Sequence, residues 1–385
     1  PFVDLSPCQA RRKQSLRRRA CFQQITGNRY VTRSSSCIRT GDVSSSQLTF
    51  CQLNVEEDDH SDASSFVSSN ASSTTSLRDS ILEYRRILGR TYHHELGDAE
   101  NWTPNDDKHT ESMELVHYLT LAAMKNKLFH APLDTDKLKK VLDVGTGTGH
   151  WAIDFGDQYP NVEVTGTDIT PIQPSWTPPN VCWEIDDANQ DWTWAANTFD
   201  FIHVRYLTGC IRNWKKFYQD AFRCLKPGGW LEHHESSSSW YSDTEGVGPD
   251  NAVSEDSPVG QSVKIFQSSG ERIGRTFRVF EDELQQKLMK EVGFVDIEFK
   301  NYNVPVGSWP EDPEQKQLGI LGGEALLGDL EGTSFFSLML VLGRVVKGPP
   351  DQCSNLLLRL YALRLDKDRR LVRGRGQGFY GPCAC

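Results

Sequence analysis

The densest chemical signal in the chain is Asp143-Val144-Gly145-Thr146-Gly147-Thr148-Gly149. It follows the apolar run Lys140-Val141-Leu142 and precedes His150, so it reads as a strand passing through a tight glycine turn into a helix. Glycines at such a turn let the backbone approach a ligand closely, and the helix beyond offers unpaired N–H groups to an anionic end. Asp168 closes a second apolar run nineteen residues past Gly149, where an acidic side chain can accept hydrogen bonds from both hydroxyls of a ribose. Asp186-Asp187-Ala188 follows a third run, where a carboxylate can take an adenine amino group, and Asp187 is the better placed of the pair. Each feature also has a plainer reading, as a strand-helix turn, a helix cap or a solvated aspartate. Together they predict a nucleoside-bearing cofactor.

A second set of candidates lies near the end of a fourth apolar run, where open α/β sheets place their ligands. His203 and Arg205 share a face by strand alternation, and Tyr206 follows them. These three are the catalytic candidates, although each also fits a satisfied structural role. His233, His234 and Glu235 follow a fifth run and can line the same cleft. His93 and His94 read as a solvated turn, and Trp151, Trp183, Trp192 and Trp194 as packing residues, with Trp183 placed to wall an adenine.

The elements that must position these residues are legible as repeated strand-helix units. Strands are expected at Lys140 to Val144, Glu163 to Asp168, Val181 to Ile185, Phe199 to Val204 and Trp230 to His234. Trp214, Phe217, Tyr218, Ala221, Phe222 and Leu225 recur at helical spacing and predict a helix packed on the sheet. Other helices are expected from about 78 to 88, from Asp107 to about Leu128, and from about Glu281 to Val292 before Gly293. Phe294 to Asn303 alternates like an antiparallel edge strand, and the polar stretch 236 to 260 is where a lid over the substrate would be inserted.

Composition bounds the rest. With 385 residues and 37% apolar content, the chain can bury a full core. No run of 18 apolar residues is present, so no membrane span is expected, and no secretory signal is expected from the residues after Pro1. The net charge of −10 is uneven: residues 1 to 50 carry +7 and residues 348 to 385 carry +4, leaving −21 on the body. Such a body repels phosphate backbones, and no direct nucleic-acid binding is expected of it. Ten cysteines without a CxxC pair fit a reduced, intracellular setting, cytoplasm or nucleus, with Arg11-Arg12-Lys13 and Arg17-Arg18-Arg19 readable as an import cluster. Residues 1 to 76 are Ser- and Arg-rich and predicted disordered, residues 77 to 136 form a helical cap, residues 137 to 347 form the catalytic domain, and residues 348 to 385 form an irregular basic tail.

A dinucleotide dehydrogenase could share the loop and Asp168. Against it stand His150, at the position that would complete GxGxxG, and Leu225-Lys226-Pro227-Gly228-Gly229-Trp230-Leu231, which is similar to the corresponding turn of class I methyltransferases. Together with Phe199 to Leu207, Gly89-Arg90-Thr91-Tyr92-His93 and Trp102-Thr103-Pro104-Asn105-Asp106, these motifs resemble the fungal LaeA-like methyltransferases over about residues 77 to 345. The resemblance implies an α/β, Rossmann-like class I methyltransferase fold: a mostly parallel central sheet with helices on both faces. It implies S-adenosylmethionine as cofactor, with its methionine end on Asp143, Gly145, Thr146, Gly147 and Gly149. Asp168 and Ile169 would meet the ribose, Asp187 and Ala188 the adenine, while His203 completes the site and Tyr92 and His93 belong to an N-terminal segment covering the cofactor. The acceptor would be a small molecule of secondary metabolism; the alternative is a nuclear regulator working through protein partners. Methyl transfer from a sulfonium is a one-step displacement needing no metal, only alignment and, for a hydroxyl or amine acceptor, a base. The family's last helix and final strand are not recognisable after Lys347, which leaves the closing hairpin open.

Overall fold

The computed structural model describes residues 84–93 apart from Leu88, 101–242 and 255–332, together with the strands Leu48–Phe50 and Phe379–Ala384. The two expected tails otherwise lie outside the described residues. In chain order the strands are β1 (Leu48–Phe50), β2 (Arg85–Ile87), β3 (Arg90–Tyr92), β4 (Lys140–Val144), β5 (Glu163–Asp168), β6 (Val181–Ile185), β7 (Phe199–Arg205), β8 (Leu225–Ser236), β9 (Tyr241–Ser242), β10 (Asn301–Val306) and β11 (Phe379–Ala384). The helices are α1 (Asp107–Ala123), α2 (His150–Gln158), α3 (Trp214–Cys224), α4 (Pro258–Ile273), α5 (Leu284–Val292) and α6 (Pro313–Gly328).

One sheet runs β1-β6-β5-β4-β7-β8-β11-β10, and its five central strands, β6 to β8, are parallel. Alternation sends their side chains to two cores. Leu142, Val144, Ile202 and Val204 pack against Trp214, Phe217 and Tyr218 of α3 and Met289 of α5. Val141, Val164 and Phe201 pack on the other face against Leu121 of α1 and Trp151 and Phe155 of α2. Two residues further along that second face come Asp143 and His203, side by side in the register of β4 and β7. The same alternation that builds the core therefore carries two polar groups to its ligand-bearing end.

Several expectations need correction. Arg85–Ile87 and Arg90–Tyr92 form an antiparallel hairpin turned at Gly89, not the end of a helix; Arg90 finds tertiary partners in Asp106 and Asp329 and Tyr92 is buried, which override the local helical spacing. Phe222 is 46% exposed and meets Phe294 edge-on, because Cys224 rather than Phe222 lies on the buried face of α3. The edge strand begins at Asn301, later than its alternating sequence indicates. A closing strand does exist: Phe379–Ala384 lies antiparallel between β8 and β10, in a stretch whose glycine, proline and cysteine content hides it. The Lys-Pro-Gly-Gly turn is a bulge inside β8, whose pairing with β7 jumps from Phe199↔Leu225 to Phe201↔Trp230.

Candidate functional site

The glycine turn leaves β4 with Gly145, Gly147 and Gly149 at φ of +67°, +57° and +78°, a region L side chains rarely adopt. A Cβ on Gly147 would strike the methyl of Met113, one on Gly149 the ring of Trp183, and one on Gly145 the end of Leu207. Gly149 is the N-cap of α2 and gives no side-chain cap to its first turn. The helix thus presents its opening N–H groups at the loop.

Asp168 ends β5 facing that loop. Its Oδ2 accepts the Gly147 N–H at 2.8 Å and its Oδ1 the Thr170 N–H at 3.0 Å. Burial pushes the carboxyl up to about 6, against the pull of those two N–H groups. Tyr84 lies within electrostatic reach of it, so the segment before β2 comes to the same place. Asp187 differs: its Oδ1 accepts the N–H and the side-chain amide of Asn189, and its Oδ2 the amide of Gln190. Both oxygens are held within its own turn, while Ala188 packs against the core and Ile169 is half-buried beside Asp168.

Beneath the loop, Asp143 is buried and accepts from Thr146 Oγ1 at 2.5 Å and from His203 Nδ1 at 2.7 Å. Burial raises the Asp143 carboxyl to about 6, opposed by the Thr146 hydroxyl and the charge of Arg205. His203 is fully buried, stacked on Trp151 at 3.7 Å between centroids, and held well below its ordinary value by burial and the nearby His234 and Arg205. Its neutral ring donates through Nδ1, and its Nε2 has no hydrogen-bond partner among the described residues. Arg205 donates to His117 Nδ1 at 3.0 Å, so His117 carries its proton on Nε2 and gives it to Asp154 at 3.2 Å. Tyr206 sits at φ +58° at the end of β7, and its hydroxyl meets Thr120 Oγ1 at 2.6 Å.

Comparison with known proteins identifies the family. A family model described as a methyltransferase domain matches residues 115–298. Methyltransferase pytC of Aspergillus terreus is 38% identical over 251 residues, covering 65% of this chain and 74% of that protein. The secondary metabolism regulator LAE1 of Cochliobolus heterostrophus is 32% identical over 240 residues, 61% of this chain and 75% of that protein. The probable methyltransferase tdiE of Emericella nidulans is 32% identical over 237 residues, 62% and 71% of the two chains. The chain belongs to the fungal LaeA-like methyltransferases. It is an S-adenosylmethionine-dependent methyltransferase on a Rossmann-like fold.

Within this methyltransferase, several site-building residues escape sequence reasoning. Arg90 forks to Asp106 at 2.5 and 2.7 Å and to the fully buried Asp329 at 2.8 and 2.9 Å, with His109 also on Asp329 at 2.9 Å. Arg90 and Asp329 are 239 residues apart, so no local pattern joins them. This bolt fixes the β2-β3 hairpin, and with it the fully buried Tyr92, to α1 and the end of α6. His93 is buried rather than solvated, its Nε2 accepting the Asn101 N–H at 2.7 Å. Trp102 donates from its indole to the Thr208 carbonyl at 3.0 Å, tying the N-terminal segment to the loop after β7. His117 carries a weak signal, one turn from Met113 and Thr120 on the inner face of α1, but its pairing with Arg205 does not.

A cavity of about 480 Å³ lies elsewhere, lined by Phe222, Leu225, Trp230, Phe294, Val295 and Phe299 among others. It flanks the first half of β8, at the opposite end of the strands from the glycine loop. It is therefore not the cofactor site. Among the described residues no cluster of His, Cys, Asp and Glu is arranged to hold a metal, and no helix is long and apolar enough to cross a membrane.

Proposed function

We propose that the glycine loop and Asp168 hold S-adenosylmethionine and that the acceptor is a small molecule. The observation that carries the reading is the positive-φ turn, opening on the uncapped end of α2, with the Asp168 carboxylate tied to Gly147 at its rim. When bound, the cofactor supplies a sulfonium methyl group. The N–H groups at the start of α2 take its carboxylate, Asp168 accepts from the ribose beside Ile169, and Trp183 walls the adenine near Ala188. Asp187 Oδ2 takes one donor, the Gln190 amide at 3.2 Å, and keeps a lone pair for the adenine amino group. Asp143 and His203 hold the loop from below through Thr146, which makes His203 a positioning group; Arg205 and Tyr206 position α1 through His117 and Thr120. Tyr92, bolted in place by its neighbour Arg90, belongs to the cover of the site. The division into a cap at 77–136 and a catalytic unit at 137–347 goes with this reading, as does an intracellular setting, where Cys210 and Cys224 form no disulfide among the described residues.

Calorimetric titration of the full chain with S-adenosylmethionine and S-adenosylhomocysteine tests the site, and micromolar binding is expected. Incubation with methyl-tritiated cofactor and fungal extract then tests the acceptor: label in the low-molecular-weight fraction supports the reading, and label confined to protein overturns it. The similarity to LAE1 favours a second reading, a regulator of secondary metabolism acting through protein partners. Absence of cofactor binding with a defined partner recovered from nuclei would replace the first reading by the second.

A further inference from the structure

The end of β8 carries a carboxylate that the cofactor site does not use. Glu235 is fully buried, and its Oε1 accepts the Leu207 N–H at 2.8 Å and His233 Nε2 at 3.0 Å. A carboxylate oxygen can only accept, so His233 donates to it through Nε2. On the other side of the ring, the Tyr218 hydroxyl meets Nδ1 at 2.8 Å. Stacking against Trp214 at 4.9 Å fixes the ring. Oε1 thus receives two donors, while Oε2 has no hydrogen-bond partner among the described residues. A buried carboxylate held through one oxygen, with the other unpartnered among the described residues, can accept from a ligand group that reaches it.

Its position is beside the loop that follows β7, against the glycine turn. Leu207, whose N–H grips Glu235, lays its side chain over Gly145, so the carboxylate lies one residue across the wall from the glycine turn. Cys210, pushed up to about 12 by burial, is within electrostatic reach of both Glu235 and Asp168. Thr208 Oγ1 and Glu281 Oε2, also buried, lack partners among the described residues. Trp102, packed edge-on against Phe266 and Phe277, covers this end of the sheet.

We propose that Glu235 is the proton acceptor of the transfer, and that the methyl acceptor accordingly reacts through an O–H or N–H group. The acceptor heteroatom forms its bond to the methyl carbon, the methyl–sulfur bond breaks with its electron pair left on sulfur, and the acceptor's proton passes to Glu235 Oε2. This rests on the cofactor reading above and is tested so that the two can fail separately. The probes are S-adenosylhomocysteine and sinefungin, in which an amine-bearing carbon replaces the methylated sulfur, titrated into the full-length wild type and Glu235→Gln. An ammonium at the methyl position facing Oε2 makes a charge-assisted contact that the homocysteine form lacks. The variant is expected to lose sinefungin affinity about tenfold with S-adenosylhomocysteine affinity held within about twofold. Equal losses for both ligands, or no loss for either, overturn the proposal. If the variant does not fold, a crystal structure of the wild type with sinefungin decides: an amine within about 4 Å of Oε2 supports the assignment, and one beyond about 6 Å overturns it. A folded wild type that binds neither ligand overturns the cofactor reading itself, and this assignment with it.

Discussion

Replacing Asp168 separates the ligand-binding part of the site from its scaffolding. In the wild type both carboxylate oxygens are held by backbone N–H groups, Gly147 on Oδ2 at 2.8 Å and Thr170 on Oδ1 at 3.0 Å, and each keeps lone pairs for a ribose hydroxyl. Asn keeps one acceptor oxygen and turns the other into a donor that faces a donor. A hydrogen bond to a charged group is worth about 1.5–3 kcal/mol, so losing one costs roughly ten- to hundredfold in affinity. Asp168→Ala loses both and leaves the Gly147 N–H unsatisfied, which adds disorder of the loop to the direct loss. Titration calorimetry of S-adenosylhomocysteine at pH 7.5 should rank wild type above Asn above Ala, with thermal melts separating misfolding from lost contacts. The same group sets a pH dependence. Burial holds it near 6, and ribose hydroxyls donate to the ionised form, so affinity is full above about 6 and falls as the pH is lowered through that value. Variants within twofold of wild type, or affinity unchanged from pH 7.5 to 5, would refute the assignment of Asp168 to the ribose.

Three further outcomes are expected. Arg90→Ala strips the fully buried Asp329 of its guanidinium, and stability should fall by about 3–5 kcal/mol, read as a melting temperature roughly 5–15 °C lower; a shift under about 2 °C would show that the bolt is dispensable. His117 is held at about 4 by burial, below its unfolded value, so its contribution is complete above about 6.5 and lost as the pH falls toward 4. That amounts to about 3 kcal/mol, and His117→Gln should flatten the pH dependence of the urea midpoint across that window, an unchanged slope counting against it. Gly147→Ala combines a left-handed residue, about 1–2 kcal/mol, with a clash at Met113, and should weaken cofactor binding. Gly228→Ala, at φ +80° with open space around the new methyl, should carry the strain alone and bind normally; equal binding in the two variants would mean that the loop's shape is irrelevant to the ligand.

The chain's local grammar was enough to locate the five parallel strands to within a residue or two at most ends, because alternation and glycine punctuation are written in adjacent residues. The same holds for the glycine turn and for Asp168 at the close of its strand, since a turn, a strand end and a helix start lie within reach of one another in the sequence. Family membership was legible for that reason. What only the tertiary structure decided are the partners. Arg90 meets Asp329 across 239 positions, His117 meets Arg205 across 88, and Glu235 takes its donors from Leu207 and His233, with Tyr218 behind them. Hairpin formation at Arg85–Tyr92 and burial of His93 likewise depend on distant groups. Whether a polar side chain is free or committed depends on which segments pack against it, and that packing is settled only when the whole sheet closes.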